Sequence, residues 1–273
     1  MTVLVTGATG NIGSRLIPHL LAAGHHVRAI VRTATAGLPA GVEQVKADLL
    51  DPKSLAEAVV GISGVVHLAA VLRDPDPSLI HRVNVEGTRN LIDAVRSESP
   101  STRVVMASTS LVYPDDLAWP ATESDPLGPV AAYPASKVTA EQELLRSGLA
   151  ATVLRLGFVY GDGDAHLAHA PRLFEAWGWH PARALHLVHH RDVDAAFLHA
   201  LGDPGTIGKI INVVDDAPMS AYEIGRIVGA PLAASSEPLP NPWAGRLDGT
   251  ALRRLGLAPS VPTLFHAALT GAL

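Results

Sequence analysis

Cysteine is absent from this chain of 273 residues, and aromatic residues make up only 4% of it. Without cysteine the protein has no disulfide bond, no thiolate metal site and no cysteine nucleophile. Charged residues are also scarce at 17%, and the formal net charge of -5 provides no basic surface for nucleic acid. Hydrophobic residues reach 48%, which predicts a globular chain with a sizeable core.

Long hydrophobic runs are missing too. No apolar segment is long enough to span a membrane, and no basic leader precedes the first apolar residues, 3–5. We therefore expect a cytoplasmic protein that binds neither nucleic acid nor membrane. The 13 histidines include the pair His189 and His190, but no carboxylate pattern accompanies them. Metal binding is the less favoured interpretation, and we expect no metal.

Three glycines at three-residue spacing follow residues 3–5, an order that predicts a strand, a tight loop and a helix. In such a loop one glycine allows a positive φ, another lets the backbone approach a pyrophosphate, and the last lets the helix pack closely on the strand. The helix N-terminus then points at the anion. An ordinary turn would also fit the glycines alone. The predicted cofactor loop comprises Gly7, Thr9, Gly10, Asn11, Ile12 and Gly13.

Apolar runs and helical patterns alternate beyond this loop, as they do in βαβ units. This alternation predicts an α/β protein with a Rossmann-type doubly wound parallel sheet and a small C-terminal substrate lobe. Further strands are predicted over 27–31, 42–47, 65–70, 104–107, 152–156 and 210–213, and two short helices near 221–228 and 250–255 are predicted to finish the chain.

The domain prediction follows from the point at which this alternation becomes irregular. Residues 1–161 are assigned to the dinucleotide-binding domain, to which 185–215 is expected to return. Residues 162–184 and 216–273 are assigned to the substrate-binding lobe.

The end of the second predicted strand bears on the choice of dinucleotide. In this geometry it lies beside the adenosine ribose, where an acidic residue would bond the 2′-hydroxyl of NAD. The strand instead ends at Arg32, with Arg28 at its start, and a guanidinium suits the 2′-phosphate of NADP. The sequence favours NADP, with NAD as the alternative and a solvated surface arginine as the plainer interpretation of Arg32.

Small and polar residues end the later strands, at the edge where open α/β sheets bind ligands. Asp48 could accept a hydrogen bond from the adenine amino group. Thr109 or Ser110 would hold a substrate oxygen. The predicted strand-end residues are Asp48, Leu49, Ala69, Ala70, Ser108, Thr109 and Ser110.

Tyr133 and Lys137 lie one turn apart on a predicted helix that follows a proline-rich loop. A free phenol has a pKa of about 10, too high for proton transfer at neutral pH, and a nearby ammonium lowers it. Lys137 could thus make Tyr133 a general acid or base, and it could also bond the cofactor ribose. A surface pair would show the same spacing, so the glycine loop and the strand-end hydroxyls are what favour the chemical role.

In this order the motifs resemble those of the extended short-chain dehydrogenases/reductases, which include nucleotide-sugar epimerases, dehydratases and carbonyl reductases. The matching pieces are Thr6-Gly7-x-x-Gly10-x-x-Gly13, Asp48-Leu49, His67-Leu68-Ala69-Ala70, Asn84-Val85-x-Gly87-Thr88, Ser108-Thr109-Ser110-x-Val112-Tyr113, Tyr133-x-x-x-Lys137 and residues 155–161.

The resemblance implies a role for each matching residue. The three glycines would hold the pyrophosphate and Asp48 the adenine. Tyr133 would be the acid/base, with Lys137 as its partner and Thr109 as the accompanying hydroxyl. Asn84 would support the helix that faces the active site. The family also implies a monomer or a homodimer.

The chain departs from the nucleotide-sugar epimerases in two places. Phe158 stands where those enzymes usually have an asparagine that helps to hold the sugar nucleotide, and Asp162 stands where proline is common. An apolar or smaller substrate is therefore favoured, with Phe158 among its contacts. Arg183 and Arg191 are candidate ligands of a diphosphate, although a surface role is favoured for both.

The leading hypothesis is an NADP(H)-dependent oxidoreductase that interconverts a carbonyl and a secondary alcohol on a small-molecule substrate. One alternative is a nucleotide-sugar epimerase or dehydratase with tightly bound NAD. Another is a non-catalytic NADP-sensing regulator, against which Tyr133 and Lys137 argue.

Overall fold

The structure is a computed structural model that describes residues 1–33 and 37–273. Strands and helices alternate along the first half of the chain. They are β1 (Thr2–Thr6), α1 (Asn11–Ala22), β2 (His26–Val31), β3 (Glu43–Lys46), α2 (Pro52–Ala58), β4 (Gly64–His67), α3 (Pro77–His81), α4 (Gly87–Glu98), β5 (Arg103–Thr109), α5 (Ala132–Arg146) and β6 (Ala150–Leu156).

The second half contains shorter strands. Its elements are β7 (Phe158–Tyr160), α6 (His166–Ala176), β8 (Ala184–Leu185), β9 (Leu187–His189), α7 (His190–Gly202), β10 (Ile210–Val213), β11 (Met219–Ser220), α8 (Ala221–Ile227), α9 (Thr250–Arg254) and α10 (Leu264–Thr270). Among the described residues, no helix has both the length and the apolar character needed to cross a membrane.

Seven strands form one parallel sheet in the order β10-β6-β5-β4-β1-β2-β3. The order along the chain reverses between β1 and β4, which creates a crevice at the carboxyl ends of those two strands. The predicted doubly wound parallel sheet is therefore confirmed. The central strands β1 and β4 are buried on both faces because helices cover both sides, whereas the edge strand β3 is not buried. Leu4, Leu55 and Val65 are fully buried in the resulting core.

Local signals explain where the helices begin and end. Gly24 follows α1 with a φ of +79°, a conformation that favours glycine at a helix end. The side chain of Asp51 accepts a hydrogen bond from the Lys53 amide and caps α2, whose first residue is Pro52.

Two predicted boundaries are wrong. The fourth strand ends at His67 rather than at residue 70, because the Thr6 hydroxyl oxygen accepts hydrogen bonds from the Leu68 and Ala69 amides. The helix that the family resemblance associates with Asn84 is interrupted by a π-helical turn over Arg82–Glu86, between α3 and α4. Such turns are frequent at functional sites.

The chain divides into two compact units. The first unit comprises Met1–Val112, Pro129–Leu154 and Phe197–Ile210, and the second comprises Tyr113–Gly128, Arg155–Ala196 and Ile211–Leu273. The predicted domain boundaries, 1–161 with 185–215 and 162–184 with 216–273, differ from this division in detail. The assignment of a substrate-binding lobe stays a prediction.

The second unit has its own core, in which Tyr160, Phe174 and Ile224 are fully buried. Parallel pairing joins β7 to β9, and antiparallel pairing joins β8 to β11. The prediction that two short helices finish the chain is wrong, because α10 follows α9, and α6 was also missed. Pro171 lies inside α6 and Ala165 before it has a φ of 56°, so the usual signals of a helix start are absent there.

Candidate functional site

The glycine loop is packed too closely for side chains. Gly7 has a φ of +69°, and a Cβ atom there would lie 2.8 Å from the Ala69 amide nitrogen. A Cβ at Gly13 would overlap the Gly7 carbonyl oxygen, and one at Gly10 would lie 3.2 Å from that oxygen. Each glycine is therefore required by a close backbone approach or a positive φ, as the motif predicts.

The N-terminus of α1 lies directly behind this loop. In the described part of the chain no side chain caps it at Gly10, and its first turn contains no acidic residue. Backbone amides and the positive end of the helix dipole attract an anion at such a terminus. The loop and helix therefore fit the pyrophosphate of a dinucleotide. Among the other predicted loop residues, Thr9 and Asn11 are exposed and Ile12 is half-buried.

The two arginines of β2 and its end have different surroundings. Arg28 lies 3.0 Å from a Glu43 carboxylate oxygen and donates hydrogen bonds to the Ala58 and Val60 carbonyls, so it has a structural role. Arg32 is exposed just beyond the carboxyl end of β2, and no carboxylate among the described residues forms an ion pair with it. This difference in surroundings favours Arg32 over Arg28 as the residue that would contact a 2′-phosphate.

Asp48 and Leu49 lie beyond the carboxyl end of β3. The exposed carboxylate of Asp48 accepts a hydrogen bond from the Leu50 amide at 2.8 Å, which holds it at the strand end. Leu49 is buried against Gly87, where a Cβ would lie 2.9 Å from it. Both residues are therefore close to where the sequence places them, at the edge predicted to receive adenine.

A chain of buried polar side chains links the glycine loop to α4. The Thr6 hydroxyl lies 2.7 Å from His67 Nδ1, and His67 Nε2 lies 2.9 Å from the Thr88 hydroxyl. Thr88 donates in turn to the Asn84 carbonyl at 2.6 Å. Burial, followed by the charge of Lys137, lowers the pKa of His67 to about 3, so the ring is neutral at neutral pH.

Asn84 continues this chain toward Tyr133. Its amide group donates to the Val71 carbonyl and to the Ser136 hydroxyl, and its side-chain oxygen accepts from the Val71 amide at 2.7 Å. Ser136 donates to the Tyr133 carbonyl at 2.7 Å. Asn84, which lies in the π-helical turn, thus fastens the segment after Ala69 and Ala70 to the start of α5.

The structure places Thr109 and Tyr133 near each other. Thr109 is the last residue of β5, its buried hydroxyl accepts a hydrogen bond from the Leu111 amide at 3.2 Å, and it lies close enough to the half-buried phenol to influence the pKa of Tyr133. Lys137, one turn further along α5, is 3% exposed. Ser110 is half-buried and begins a 3₁₀ turn after Thr109. The three predicted catalytic side chains therefore belong to one region of the first unit.

The expected fall in the pKa of the phenol is not found in the structure. Burial raises the pKa of Tyr133 to about 12, and the nearby hydroxyl of Thr109 opposes the rise only partly. Burial also lowers the pKa of Lys137 to about 8, against the influence of Glu141. Both shifts arise because the charged forms lose contact with water.

Glu141 was overlooked as a site residue. Ser108 donates a hydrogen bond to its carboxylate, and the side chains of Ser108 and Glu141 are 4% and 2% exposed. The signal was available, because Glu141 is four residues beyond Lys137 on a predicted helix and therefore lies on the same face.

A cleft of about 500 Å³ opens beside Tyr133. Its lining is largely aliphatic, with Leu72, Pro75, Ile80 and Ala132, and it also includes the charged residues Arg73 and Asp74. Such a surface accommodates an apolar portion of a small molecule.

The residues predicted to contact the substrate or a diphosphate include three that lie in the second unit. Phe158 stacks on His166 with ring centroids 4.3 Å apart. Arg183 and Arg191 form ion pairs with Asp115 and Asp162, each at 2.7 Å. The described residues contain no group of three or more histidine or acidic side chains arranged to hold a metal ion.

A doubly wound parallel sheet with a close-packed glycine loop at its switch point is the architecture of dinucleotide-binding α/β proteins. Residues 3–213 match the model of the NAD dependent epimerase/dehydratase family. The chain belongs to this family, which confirms the resemblance drawn from its motifs.

Individual relatives include reductases and an epimerase. A 4-hydroxy-2-methyl-3-oxo-4-farnesyl-3,4-dihydroquinoline-1-oxide ketoreductase of Stigmatella aurantiaca is 34% identical over 64% of this chain and 55% of its own. A 3-diazoavenalumate denitrifying reductase of a Streptomyces species is 33% identical over 91% and 88%. A crystal structure of the UDP-glucose 4-epimerase of Thermus thermophilus in complex with NAD is 27% identical, with a TM-score of 0.76 over 100% of both chains. The chain spans about half the length of the first curated relatives it matches.

Proposed function

We propose that this protein is an NADP(H)-dependent oxidoreductase that interconverts a carbonyl and a secondary alcohol. The observation that carries the proposal is that Tyr133 and the buried Lys137 lie one turn apart on α5, which packs against β5, the strand that ends at Thr109 at the carboxyl edge of the sheet. The buried chain from Thr6 through Asn84 to Ser136 connects this group to the glycine loop. The glycine loop that would bind the dinucleotide and the residues that would transfer the proton are therefore held at fixed positions relative to each other.

The chain's own residues divide the work of the reaction. The bound dinucleotide would supply or accept the hydride. Thr109 would hold the substrate oxygen by a hydrogen bond, and Tyr133 Oη would donate a proton to that oxygen during reduction or remove one during oxidation. The ammonium of Lys137 would stabilise the phenolate, and its burial strengthens that interaction.

Arg32 supports NADP as the preferred dinucleotide, because its guanidinium is exposed at the strand end that lies beside the ribose in this architecture. Replacing Arg32 by Ala should lower the affinity for NADPH at least tenfold and leave the affinity for NADH nearly unchanged, as measured by cofactor fluorescence. Arg28→Ala serves as the control, since Arg28 is bound to Glu43. An unchanged ratio of the two affinities in Arg32→Ala would rule out Arg32 as the phosphate contact.

The substrate is proposed to be a small carbonyl compound with an apolar portion. Support comes from the aliphatic cleft beside Tyr133, and from the ketoreductase of Stigmatella aurantiaca among the relatives. A role of the second unit and of Phe158 in substrate binding, a cytoplasmic location, and a monomer or homodimer are further predictions.

The test of the proposed reaction is Tyr133→Phe, which removes only the hydroxyl. Turnover of a carbonyl substrate should fall at least about a thousandfold, because general acid–base catalysis and substrate orientation are lost together. NADPH affinity should change less than about threefold. Tyr222→Phe, in α8 of the second unit, is the matched control. Retained turnover in Tyr133→Phe would overturn the proposal.

The epimerase alternative rests on the similarity to the NAD complex of a UDP-glucose 4-epimerase. It predicts that NAD copurifies with the protein and that turnover needs no added cofactor. The ion pairs of Arg183 and Arg191 would have to break before either side chain could bind a diphosphate.

A further inference from the structure

The cleft beside Tyr133 has two walls that come from distant parts of the first unit. Residues 72–75, which follow β4 along the chain, form one wall, and residues 131–133, at the start of α5, form the other. Ile80 of α3 also belongs to the lining. The width of such a cleft depends on the contacts that hold its two walls at a fixed distance from each other.

Asn84 holds the first wall where it begins. Val71, the residue before this wall, donates its amide to the side-chain oxygen of Asn84 at 2.7 Å, and the Val71 carbonyl accepts from the amide group of Asn84 at 3.0 Å. Asn84 is 1% exposed and belongs to the π-helical turn before α4. One buried side chain therefore binds both backbone polar groups of Val71.

Ser136 connects Asn84 to the second wall. Its hydroxyl accepts a hydrogen bond from the amide group of Asn84 at 2.9 Å and donates one to the Tyr133 carbonyl at 2.7 Å. Ser136 is 4% exposed, so water has little access to these bonds. A continuous run of hydrogen bonds therefore joins Val71, at the first wall, to Tyr133, in the second.

The largely aliphatic lining determines what this link would affect. An apolar tail gains free energy in proportion to the area that the two walls remove from water. Walls that are not held together would leave part of the tail in contact with water, and the gain from each methylene group would fall. How strongly the cleft favours a longer tail would therefore depend on how firmly its walls are joined.

We propose that the hydrogen bond between Asn84 and Ser136 determines substrate selectivity, because it holds the two walls of the cleft together around the apolar tail of the substrate. Both are positioning residues, since neither belongs to the lining of the cleft. The proposal rests on the proposed function, in which the carbonyl group meets Tyr133 and an apolar portion of the substrate occupies the cleft.

The test uses the 2-alkanones from 2-butanone to 2-decanone, because members of this series differ only in the length of the apolar tail. Their affinity is measured by calorimetry in the presence of NADP⁺, which needs no turnover. In the wild type, the affinity should rise about fourfold with each methylene group that the cleft encloses. In Ser136→Ala the rise should be less than about twofold per methylene group, because the tail is less completely enclosed.

Turnover provides a second measurement of the same selectivity. The ratio of kcat/KM for 2-decanone to that for 2-butanone should fall at least about tenfold in Ser136→Ala, in line with the smaller gain per methylene group. This ratio cancels any loss that affects all substrates alike. The packing of α3 against α5 remains in the variant, so it is expected to fold.

Ser147→Ala is the matched control, because it makes the same change at the end of α5. The Ser147 hydroxyl donates to the Leu144 carbonyl and accepts from the Leu149 amide, so its hydrogen bonds stay within its own segment. The variant should keep the wild-type gain per methylene group even where its thermal stability is lower.

Asn84→Ala removes the same link from its other side and should also reduce the gain per methylene group. In that background, Ser136→Ala should cause no further reduction, because the bond between the two side chains is already absent. A further reduction would show that Ser136 acts independently of Asn84 and would contradict the proposal.

Three other results would overturn the proposal. They are a wild-type affinity that does not depend on tail length, a Ser136→Ala variant with the wild-type gain per methylene group, and a loss of affinity in Ser136→Ala that is equal for all tails. Because binding is measured without turnover, the length dependence can be absent while Tyr133→Phe still abolishes turnover. It can also be present if Tyr133→Phe remains active, so the two proposals fail separately.

Discussion

The two units bury polar side chains in different ways. In the first unit, Thr6, His67, Thr88 and Asn84 form a continuous chain in which each side chain has a hydrogen-bond partner. In the second unit, neither His186 Nε2 nor Asp215 Oδ2 has a hydrogen-bond partner among the residues that the structure describes. A fully satisfied network rigidifies a protein, whereas a partly satisfied one costs free energy of folding.

The tautomer of His186 follows from its other nitrogen. The Leu247 amide donates to His186 Nδ1 at 3.0 Å, so a neutral ring carries its proton on Nε2, which lies 3.6 Å from Asp215 Oδ1. Burial lowers the pKa of His186 to about 4 and raises that of Asp215 to about 8. The first network therefore keeps one protonation state near neutral pH, whereas the second changes its protonation state there.

The largest effect is expected from breaking the satisfied network at Asn84. Replacing Asn84 by Ala removes the acceptor of the Val71 amide and a donor to Ser136. Each buried polar group left unpaired costs about 1–3 kcal/mol, so the free energy of unfolding should fall by about 2–4 kcal/mol. Urea denaturation measures this loss.

The control for this change is Asn90→Ala on α4. The half-buried side chain of Asn90 makes a single hydrogen bond, to the Leu49 carbonyl, and its loss should cost about 1 kcal/mol. Equal losses in the two variants would mean that Asn84 is an ordinary polar residue and that the network does not act as a unit.

Much of the first unit was predictable, because its elements are defined by local signals. Periodic apolar residues indicate the helices of this unit. Asp51 and Pro52 mark the start of α2, and Gly24 marks the end of α1. The π-helical turn at Asn84 was not predictable, because the side chain is held by Val71 and Ser136, which are distant in sequence.

The candidate site was likewise predictable only in part. The one-turn spacing of Tyr133 and Lys137, the strand-end position of Thr109 and the family resemblance together predict one site, and all three residues lie in the first unit. The charge environment could not be inferred, because it depends on burial: the expected fall in the pKa of Tyr133 is a rise in the structure. The interaction of Glu141 with Ser108 across 33 residues likewise becomes visible only in the fold.

A smaller effect is expected from removing Asp215, the titratable carboxyl group that the second unit buries. Because the pKa of Asp215 is raised above the value of about 4 expected in the unfolded chain, the folded protein holds that proton to higher pH and loses stability as pH rises from about 4 to 8. His186, with a lowered pKa, gains stability as pH rises from about 4 to its unfolded value of 6.5. The two contributions oppose each other below 6.5, and Asp215 acts alone above it.

Asp215→Asn should therefore remove a loss of about 2 kcal/mol that accumulates between pH 6.5 and 8, as measured by urea denaturation at several pH values. Asp216→Asn is the matched control, because Asp216 is an exposed neighbour paired with Arg253, and it should leave the slope unchanged. If wild type and Asp215→Asn have the same slope above pH 6.5, then Asp215 is ionised in the folded protein. The second unit would in that case contain a buried charged carboxylate. The two networks would then differ in the charge of their buried side chains rather than in how completely those side chains are hydrogen-bonded.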